Sequence, residues 1–568
     1  MHKHVKRAVA AVLAASLAAP AFAIGGAGAS SHATTTSFPR NETVYTSGTA
    51  YSPPTNWNPL SIGAYATGTI GLLYEPLFLY DPTANKTVPW LATSGSWTSP
   101  TSFDIKLRDN VTWSDGQPFT AADVAYTIGL AKTSPTVPYA NLGQYIADVQ
   151  QVGKYEVVVD FSKPAYTQWQ NFLYGNNATP MLPAHVWSKI SASAVASFAN
   201  PHPVGTGPML LDEANAQEVA YKTSTHWWAT KDLGLKLKFN YLVDIVNGSN
   251  NVELGQVLQG NIDLSNNFLP GISKLVGGIS SSYGLQTYYA KAPYMLSANT
   301  VWLEPNIAKA PMSNVNFRKA LAYAVDPRQI ASVVYSNIVQ PANPTGLLPN
   351  LASYVDKGVV AKSGFSYNPA KARALLKASG YKGRTITLEV PNGWTDWMAA
   401  AQVIVGDLKA VGINARATFP VYNTRVADLT NGTYDLALDN NAGPSATPWA
   451  YYDRIYQLPI QGKQTAQLNW ERVNDPVSWA LVQKLGTTPP TSTAALQSIY
   501  AQLEQRTLET MPVIPLWYNG AWAQYNTTYW TNWPSAAPSS NHYTPVMWGG
   551  WLGQDTTILA LAALKTAK

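Results

Sequence analysis

A strand, a helix and a second strand follow one another between residues 386 and 419, and this unit constrains the fold most. The predicted helix, residues 396–411, carries apolar side chains four and three residues apart, at Trp397, Ala401, Ile404, Leu408 and Val411. Gly412 ends this helix, and the flanking segments 386–390 and 413–419 have the composition or alternation of strands. A further strand is predicted at 434–438. Such strand–helix–strand units build α/β sheets, so an α/β fold is expected.

An earlier stretch gives the same fold class. Residues 103–113 alternate as a strand, with Ile105 and Leu107 on one face. A Ser-Asp-Gly turn follows at 114–116, where the glycine can take a positive φ. Thr120 then has the character of a helix N-cap, and Asp123 stands where a capping box has its acid.

The length and the charge of the chain exclude several classes. At 568 residues it is too long for a single core, so two or three lobes are expected. The net charge of +6 includes Lys3, Lys6 and Arg7 near the N-terminus, and the remaining charges are too scattered for a nucleic-acid surface. The absence of cysteine excludes disulfides, zinc–thiolate sites, cysteine nucleophiles and a lipidated N-terminal cysteine. Only 12% of the residues are charged, about half the usual share of roughly 25%, so we expect acid tolerance and an acidic extracellular habitat.

The N-terminal segment has the pattern of an export signal. Residues 1–23 combine a basic start, a short apolar run and an Ala-Phe-Ala cleavage site, which predicts a signal peptide. An N-terminal membrane anchor is the alternative. Residues 24–40 are predicted to be a flexible linker. No later run has some 18 apolar residues, so we expect an exported, soluble protein, periplasmic or extracellular, with no lipobox cysteine.

Several motifs resemble one known family. The most specific motif covers residues 74–126, including Tyr-Glu-Pro-Leu-Phe-Leu-Tyr-Asp at 74–81. The other motifs are Asn-Pro-Leu at 58–60, the Met-Leu-Pro segment at 181–187, the Gly/Pro turn at 203–208, Gly-Asn-Ile-Asp at 260–263, and the segments 311–326, 366–381 and 511–517. Together they resemble the family 5 extracellular solute-binding proteins. These are receptors of ABC importers for oligopeptides, dipeptides, nickel and some oligosaccharides. The resemblance extends over residues 43–525.

The resemblance implies a periplasmic-binding-protein-like α/β fold, with two lobes around a hinged cleft and a third subdomain inserted in the first lobe. Lobe I is expected to comprise residues 41–67, 203–296 and 517–568, subdomain II residues 68–202, and lobe III residues 297–516. Arg318 and Asp326 match family positions and are predicted to hold helix ends. The implied partners are a small-molecule ligand and the permease subunits of an ABC transporter, and we expect a monomer.

Catalytic patterns are not evident in the sequence. There is no H-E-x-x-H, G-x-S-x-G or phosphate-loop motif, and His185, His202, His226 and His542 are widely separated. A metal site at His185 and His202 is conceivable, but no i, i+4 spacing supports it, so we expect no metal and no cofactor. The chain is predicted not to be an enzyme. A secreted glycoside hydrolase stays open as an alternative, because two catalytic carboxylates need have no sequence spacing.

The candidate ligand-binding residues lie in loops. Loops that leave the carboxyl ends of strands line the crevice of an open α/β sheet, which selects the segments after the strands at 386–390 and 434–438. In the early loop that precedes Asn-Pro-Leu, Tyr51 and Trp57 either line the cleft or only pack. The full set of predicted ligand-binding residues is Tyr51, Trp57, Asn392, Trp394, Trp397, Asn440, Asn441 and Trp449.

These loops favour a sugar as the ligand. Peptide-binding members of the family have an aspartate in the loop after the strand that corresponds to 434–438, where it neutralises the peptide ammonium. Here that loop carries amides, Ala, Ser and Thr, and Asp439 is its only carboxylate. Residues 391–398 are similar to the segment of members that bind β-linked oligosaccharides, and aromatic rings with amides suit sugar faces and hydroxyls. We therefore predict an oligosaccharide, with an oligopeptide as the alternative.

Overall fold

A computed structural model of the chain describes residues 38–47, 53–61, 64–174, 179–276, 284–440, 443–460, 468–543 and 556–567. The predicted signal peptide lies outside these residues, as does most of the predicted linker. All helices and strands described below belong to Arg40–Lys568. Within the described ranges, no helix is both long enough and apolar enough to cross a membrane.

The strands fall into three larger sheets and two two-stranded sheets. In chain order they are β1 Thr43–Ser47, β2 Phe78–Asp81, β3 Lys86–Pro89, β4 Ala92–Ser99, β5 Ser102–Leu107, β6 Ile146–Gly153, β7 Glu156–Phe161, β8 Met209–Ala214, β9 Glu218–Thr223, β10 Tyr241–Ile245, β11 Leu264–Ser265, β12 Leu285–Thr287, β13 Ser297–Pro305, β14 Gln340–Pro341, β15 Ile386–Glu389, β16 Ala415–Thr418, β17 Leu436–Asn440, β18 Ile514–Gly520, β19 Gln524–Asn526, β20 Trp530–Thr531 and β21 Lys565–Thr566.

Helices pack on the sheets. They are α1 Ala121–Thr133, α2 Tyr166–Tyr174, α3 Ala184–Trp187, α4 Trp228–Asp232, α5 Asn250–Gln259, α6 Ile272–Lys274, α7 Val315–Ala324, α8 Pro327–Val333, α9 Lys357–Ser363, α10 Pro369–Ala378, α11 Thr395–Ala410, α12 Tyr422–Asn431, α13 Trp449–Tyr456, α14 Pro476–Thr487, α15 Thr493–Thr510 and α16 Thr557–Ala562, with 3₁₀ turns at Ala140–Gln144 and Pro349–Tyr354.

Each large sheet draws on its own part of the chain. The seven-stranded sheet has the order β12-β19-β11-β1-β10-β9-β8, and the six-stranded sheet has the order β14-β18-β13-β17-β15-β16. The four-stranded sheet, β4-β5-β7-β6, is antiparallel and lies between β1 and β8 in the sequence. The mixed α/β class is as predicted. The lobe boundaries stay a prediction, and the one proposed at residue 517 falls inside β18, which runs from Ile514 to Gly520.

The strand–helix–strand unit forms as the sequence predicts. Strands β15 and β16 are parallel, with Ile386 opposite Ala415, and β17 runs parallel on the other side of β15. The apolar face of α11 is buried, since Ile404 and Leu408 are fully covered. The helix begins at Thr395, one residue before the prediction. The third strand is shifted by two residues at each end, to Leu436–Asn440.

The earlier strand–turn–helix also forms. In β5, Ile105 and Leu107 are buried while Lys106 is exposed. The Thr120 side chain caps α1, and the Asp123 carboxylate accepts the Thr120 backbone N–H at 2.8 Å, which completes the capping box. A shorter acid than the usual glutamate therefore serves at this position.

The Gly/Pro turn at 203–208 packs directly against the start of the 74–126 motif. The Gly207 N–H donates to the Leu73 carbonyl at 3.0 Å. A Cβ atom at Gly205 would lie 1.9 Å from the same carbonyl oxygen, so only glycine fits there. Two motifs about 130 residues apart in sequence thus form one structural unit, and glycine allows their backbones to approach this closely.

Arg318 and Asp326 hold backbone ends, as predicted. The buried Arg318 guanidinium donates to the carbonyls of Met312, Thr510 and Met511 at 2.6–3.1 Å. The Asp326 carboxylate caps α8 by accepting the Arg328 N–H at 3.1 Å.

Candidate functional site

The two larger sheets direct loops towards each other. Strands β1, β10 and β11 are parallel in one sheet, and β15 and β17 are parallel in the other. The loop after β10 meets the loop after β15, because the Asn250 N–H donates to the Gly393 carbonyl at 3.4 Å. Gly393 has φ +90°, and a Cβ atom there would lie 2.9 Å from the Gly248 carbonyl oxygen. Glycine therefore permits both the turn and the close contact between the sheets.

A buried carboxylate joins the two sides beside this contact. Asp396, in the first turn of α11, accepts the Asn250 side-chain amide at 3.1 Å and the Tyr335 hydroxyl at 2.9 Å. Burial raises the pKa of Asp396 to about 6, although these donors and backbone hydrogen bonds oppose the shift. The helix N-terminus of α11 in one half of the molecule is thus tied to that of α5 in the other.

Aromatic rings form a continuous row from the loop after β15 to the segment after β11. We define the aromatic row as Tyr422, Trp394, Trp397, Trp517, Tyr335, Trp522 and Phe268. Trp394 stacks on Tyr422, with ring centroids 5.9 Å apart and an interplanar angle of 26°. Tyr335 stacks on Trp522 at 6.2 Å and 10°. Trp394 and Tyr422 are half-buried, whereas the other five members are 7% exposed or less and belong to the hydrophobic core, so only these two can offer a ring face to a ligand.

Buried amide groups lie on strands of both larger sheets. Asn299 in β13 and Asn519 in β18 are register partners and are 2% and 8% exposed. The Oδ1 atoms of both, and both amide atoms of Gln524 in β19, have no hydrogen-bond partner among the described residues. Burying an amide without a partner costs about 1–3 kcal/mol, so these groups are suited to a polar, uncharged ligand.

Asp439, which the sequence placed in the loop after the strand at 434–438, lies in β17, just before the second crevice loop at residues 441–448, and cations engage it fully. The Asp439 carboxylate lies 3.3 Å from Arg425 and 3.2 Å from Arg454, and all three side chains are buried. Arg454 also contacts Glu304 at 3.2 Å and Glu471 at 3.6 Å. Burial and the neighbouring carboxylates raise the pKa of Glu304 well above its ordinary value. The cluster is therefore an internal charge network, and Asp439 is not free to meet a ligand cation.

The structure brings some predicted site residues together and separates others. Asn392 is exposed, while Trp394 is half-buried and packs edge-on against the buried Trp397, which is also part of the core. Asn440 is half-buried at the end of β17. Two others pack in separate apolar clusters, Trp57 at 7% and Trp449 at 6% exposure. Tyr51 and Asn441 lie outside the described residues, and a ligand-binding role for any of the set stays a prediction.

Several residues of the site were missed from sequence. Asn299 and Asn519 stand in strands whose neighbours are apolar, so a polar residue inside a buried strand was the available signal. The pairing of Asn250 with Asp396 spans 146 residues, and no local pattern predicts it.

Comparison with known proteins identifies the family. The family model for bacterial extracellular solute-binding proteins, family 5, middle region, matches residues 86–462. The chain belongs to this family. Its members are transport binding proteins and not enzymes, so the prediction of a non-enzyme is confirmed and the glycoside hydrolase alternative is wrong. The protein is a solute-binding component of an ABC importer.

Individual relatives share this fold, but their names give different ligands. A mannohexaose-bound periplasmic oligopeptide-binding protein of Thermotoga maritima superposes with a TM-score of 0.87 at 36% identity, covering 93% of this chain and 99% of that one. The nickel-binding periplasmic protein of Escherichia coli K12 is 24% identical over 73% of this chain and 79% of its own length. A putative ABC transporter peptide-binding protein of Brucella ovis is 25% identical over 87% and 90%. The predicted periplasmic-binding-protein-like fold is confirmed. Among the residues described, no group of three His, Asp or Glu side chains could hold a metal ion.

Proposed function

We propose that this family 5 protein captures an oligosaccharide in the cleft between its two larger sheets and delivers it to a membrane permease. The observation that carries the proposal is the pairing of Asp439 with Arg425 and Arg454. The residues from 440 to 449 include no other acid. The second crevice loop therefore has no free carboxylate to neutralise the ammonium of a bound peptide.

The charge argument follows from the cost of burial. An ammonium enclosed without a partner costs several kcal/mol or more, so a peptide receptor needs a negative group at that point. Asp396 is the other carboxylate near the loop contact, and its oxygens already accept from Asn250 and Tyr335. A neutral ligand carries no such cost.

The remaining groups of the cleft suit a sugar. The half-buried members of the aromatic row, Trp394 and Tyr422, offer ring faces that can stack on apolar C–H surfaces. The buried amides of Asn299, Asn519 and Gln524 offer donors and acceptors for hydroxyl groups. Aromatic faces with a few placed amides are the usual composition of a site for an uncharged polar ligand.

The Thermotoga maritima relative supports the same ligand class. Its structure holds mannohexaose although the protein is named an oligopeptide-binding protein, and it is 36% identical to this chain over nearly its whole length. Peptide capture is the second candidate, because the Brucella ovis relative is named as a putative peptide-binding protein and covers 87% of this chain.

The mechanism is binding and release without turnover. A ligand that touches both sheets stabilises their approach by its differential affinity for the closed form. Closure would change the contact between Gly393 and the loop at 248–250, because this contact joins the two sheets. Export by the N-terminal signal and a monomeric state stay proposals.

A binding screen tests the proposal. Isothermal titration calorimetry of the purified protein with manno-, cello- and xylo-oligosaccharides, and with tri- to pentapeptides, should detect affinity for a sugar series. Affinity for the peptides with no heat from any sugar would make the sugar proposal wrong.

A further inference from the structure

Positive charge is concentrated in one part of the chain. Residues 309–416 contain 13 Lys or Arg and five Asp or Glu, a net charge of +8. The rest of residues 41–568 contains 21 basic and 27 acidic residues, a net charge of −6. Ten of the 13 cations are exposed, while none of the five acids is. Because these cations are far apart in sequence, their clustering depends on the fold.

Five of the exposed cations meet at one end of the six-stranded sheet. We define the basic pole as Lys377, Lys382, Arg384, Lys409 and Arg416. Strands β15 and β16 are parallel, so Arg384, two residues before β15, and Arg416, the second residue of β16, lie at the same end. Helix α11 links these strands and has Lys409 in its last turn, which places Lys409 at this end too.

The end of α10 packs against the same region. Lys377 stands in the last turn of α10. A Cβ atom at Gly412, which follows α11, would lie 3.7 Å from Leu376 Cδ2. The Asn414 N–H donates to the Tyr381 hydroxyl at 3.0 Å, so the segment between α10 and β15 lies against the turn that leads into β16. These two segments therefore form one surface.

The basic pole lies at the opposite end of the strands from the crevice. The crevice loops leave the carboxyl ends of β15 and β17, whereas the basic pole lies at the amino ends of β15 and β16. Strand β15 separates Arg384 from the loop of Asn392 and Gly393. A partner bound to the basic pole would therefore leave the crevice open to its solute.

Most of the basic pole has no internal counter-charge. Arg384 pairs with Asp435 at 3.0 Å. The other four cations form no ion pair with a residue that the structure describes. Asp428, near the end of α12 at the same end of the sheet, is half-buried and accepts the Thr433 hydroxyl. The basic pole is therefore available to anions from outside the molecule.

Local roles explain only part of this arrangement. A lysine in the last turn of a helix interacts favourably with the helix dipole, which accounts for Lys377 and Lys409. A cation on an edge strand discourages pairing with another strand, which accounts for Arg416 on β16. Neither role requires that the ten exposed cations of residues 309–416 have no exposed acid among them.

The exposure of these cations indicates the kind of partner. One exposed ion pair contributes only about 0–1 kcal/mol, so a single small anion would not be held. A polymer of phosphate groups gains from several contacts at once and from the release of its counterions, and both Arg and Lys bind phosphate. An anionic bilayer fits less well, because binding it through the basic pole would turn the crevice away from the membrane that holds the permease.

We propose that the basic pole docks on a linear polymer of repeated phosphate groups outside the cytoplasm, which retains the protein while its crevice stays open. The contacts are exposed to solvent, so the binding is sensitive to salt. The inference does not depend on which solute the cleft binds.

Charge reversal tests the docking surface. The pole variant combines three substitutions: Lys382→Glu, Lys409→Glu and Arg416→Glu. The control variant makes the same change in net charge at exposed lysines outside residues 309–416: Lys86→Glu, Lys238→Glu and Lys484→Glu. Binding of each protein to long-chain inorganic polyphosphate is measured by biolayer interferometry from about 50 to 200 mM salt, and thermal midpoints show that each variant folds.

The expected result is a loss of binding that depends on position. The wild type should bind polyphosphate with an affinity that falls steeply as salt rises. The pole variant should bind about tenfold or more weakly and with a shallower salt dependence, because about three phosphate contacts are lost. The control variant should stay within about threefold of the wild type, since screening weakens distant charges. Glutamine at the same three positions of the pole should give an intermediate loss, and this variant decides if the charge reversal prevents folding.

Three results would overturn the proposal. An equal loss in the pole and control variants would show that only net charge matters. Absence of polyphosphate binding by the wild type at about 50 mM salt would remove the partner. Stronger binding to phosphatidylglycerol vesicles than to polyphosphate, measured by co-sedimentation, would assign the basic pole to a membrane instead. None of these results bears on the solute of the cleft, which is titrated separately.

Discussion

Two buried carboxylates in different parts of the molecule have opposite surroundings. Asp439, at the crevice, is enclosed by the guanidinium groups of Arg425 and Arg454. Glu75, in the motif at 74–126, accepts three indole N–H groups, from Trp90 and Trp227 at 3.0 and 3.1 Å and from Trp228 at 2.9 Å. One acid is held by charges and the other by neutral donors.

The difference separates the acids and tryptophans that are structural from those that can affect ligand binding. Paired with cations, Asp439 contributes no net negative charge to the crevice, which leaves the cleft to neutral ligands. Glu75 has no cation among these partners, so burial raises its pKa to about 7. The tryptophans around Glu75 are structural, whereas Trp394 belongs to the loop where the two sheets meet.

Removing Asp439, the acid paired with arginines, should have the largest effect on stability. Asp439→Ala removes the carboxylate that pairs with the buried Arg425, so we expect a loss of about 3–5 kcal/mol in the free energy of unfolding, measured in urea. Sugar affinity of the folded fraction should change little. A loss of peptide affinity with unchanged stability would instead show Asp439 acting as a ligand group.

Removing Glu75, the acid held by neutral donors, should destabilise the protein nearly as much. Glu75→Ala deprives three buried indole N–H groups of their acceptor, and we expect a loss of about 3–4 kcal/mol in the same assay. Glu75→Gln retains an acceptor oxygen and should lose less. Equal stability of Glu75→Ala and the wild type would contradict the account of this cluster.

The pH dependence of stability should sharpen the contrast. Glu75 has its pKa raised from 4.5 to about 7 by burial, so between these values the folded protein keeps a proton that the unfolded chain has lost. Its contribution is complete below pH 4.5 and falls as the pH rises to 7, by about 3 kcal/mol at roughly 1.4 kcal/mol per pKa unit. Glu253, with a pKa raised to about 8 by burial, acts in the same direction.

We therefore expect the free energy of unfolding to be higher at pH 5 than at pH 8, in keeping with the acid tolerance predicted from composition. Glu75→Gln should reduce the dependence of the unfolding free energy on pH, whereas Asp439→Asn should leave the contribution of Glu75 in place. Greater stability at pH 8 than at pH 5 would mean that these acids do not dominate the titration.

The smallest effect expected is on ligand affinity. Trp394→Ala should weaken oligosaccharide binding by about 1–3 kcal/mol, because a ring at the meeting point of the sheets would lose its contact with the sugar. Trp97→Ala is the matched control, a half-buried tryptophan on β4 that packs on Phe103. Calorimetry on both should separate them, and equal affinities would remove Trp394 from the site.

Local patterns predicted much of the fold. The β15–α11–β16 unit and the α1 capping box follow from residues close together in sequence or from helix periodicity, whereas the role of Arg318 was predicted from the family resemblance. The site was harder to predict, because its decisive contacts join distant residues. The sequence marks Asp439 as the lone acid of its loop, but the approach of Arg425 and Arg454 depends on how helices α12 and α13 pack. The same holds for Asn519, whose burial beside Asn299 is set by strand pairing.

The central claim is that the cleft binds a neutral sugar and has no place for an ammonium. The most direct measurement is a set of calorimetric titrations of the wild-type protein with mannohexaose, a free tetrapeptide and the same peptide acetylated at its amino terminus. We predict binding of mannohexaose and of neither peptide. Binding of the free peptide that acetylation abolishes, with no binding of mannohexaose, would contradict the claim.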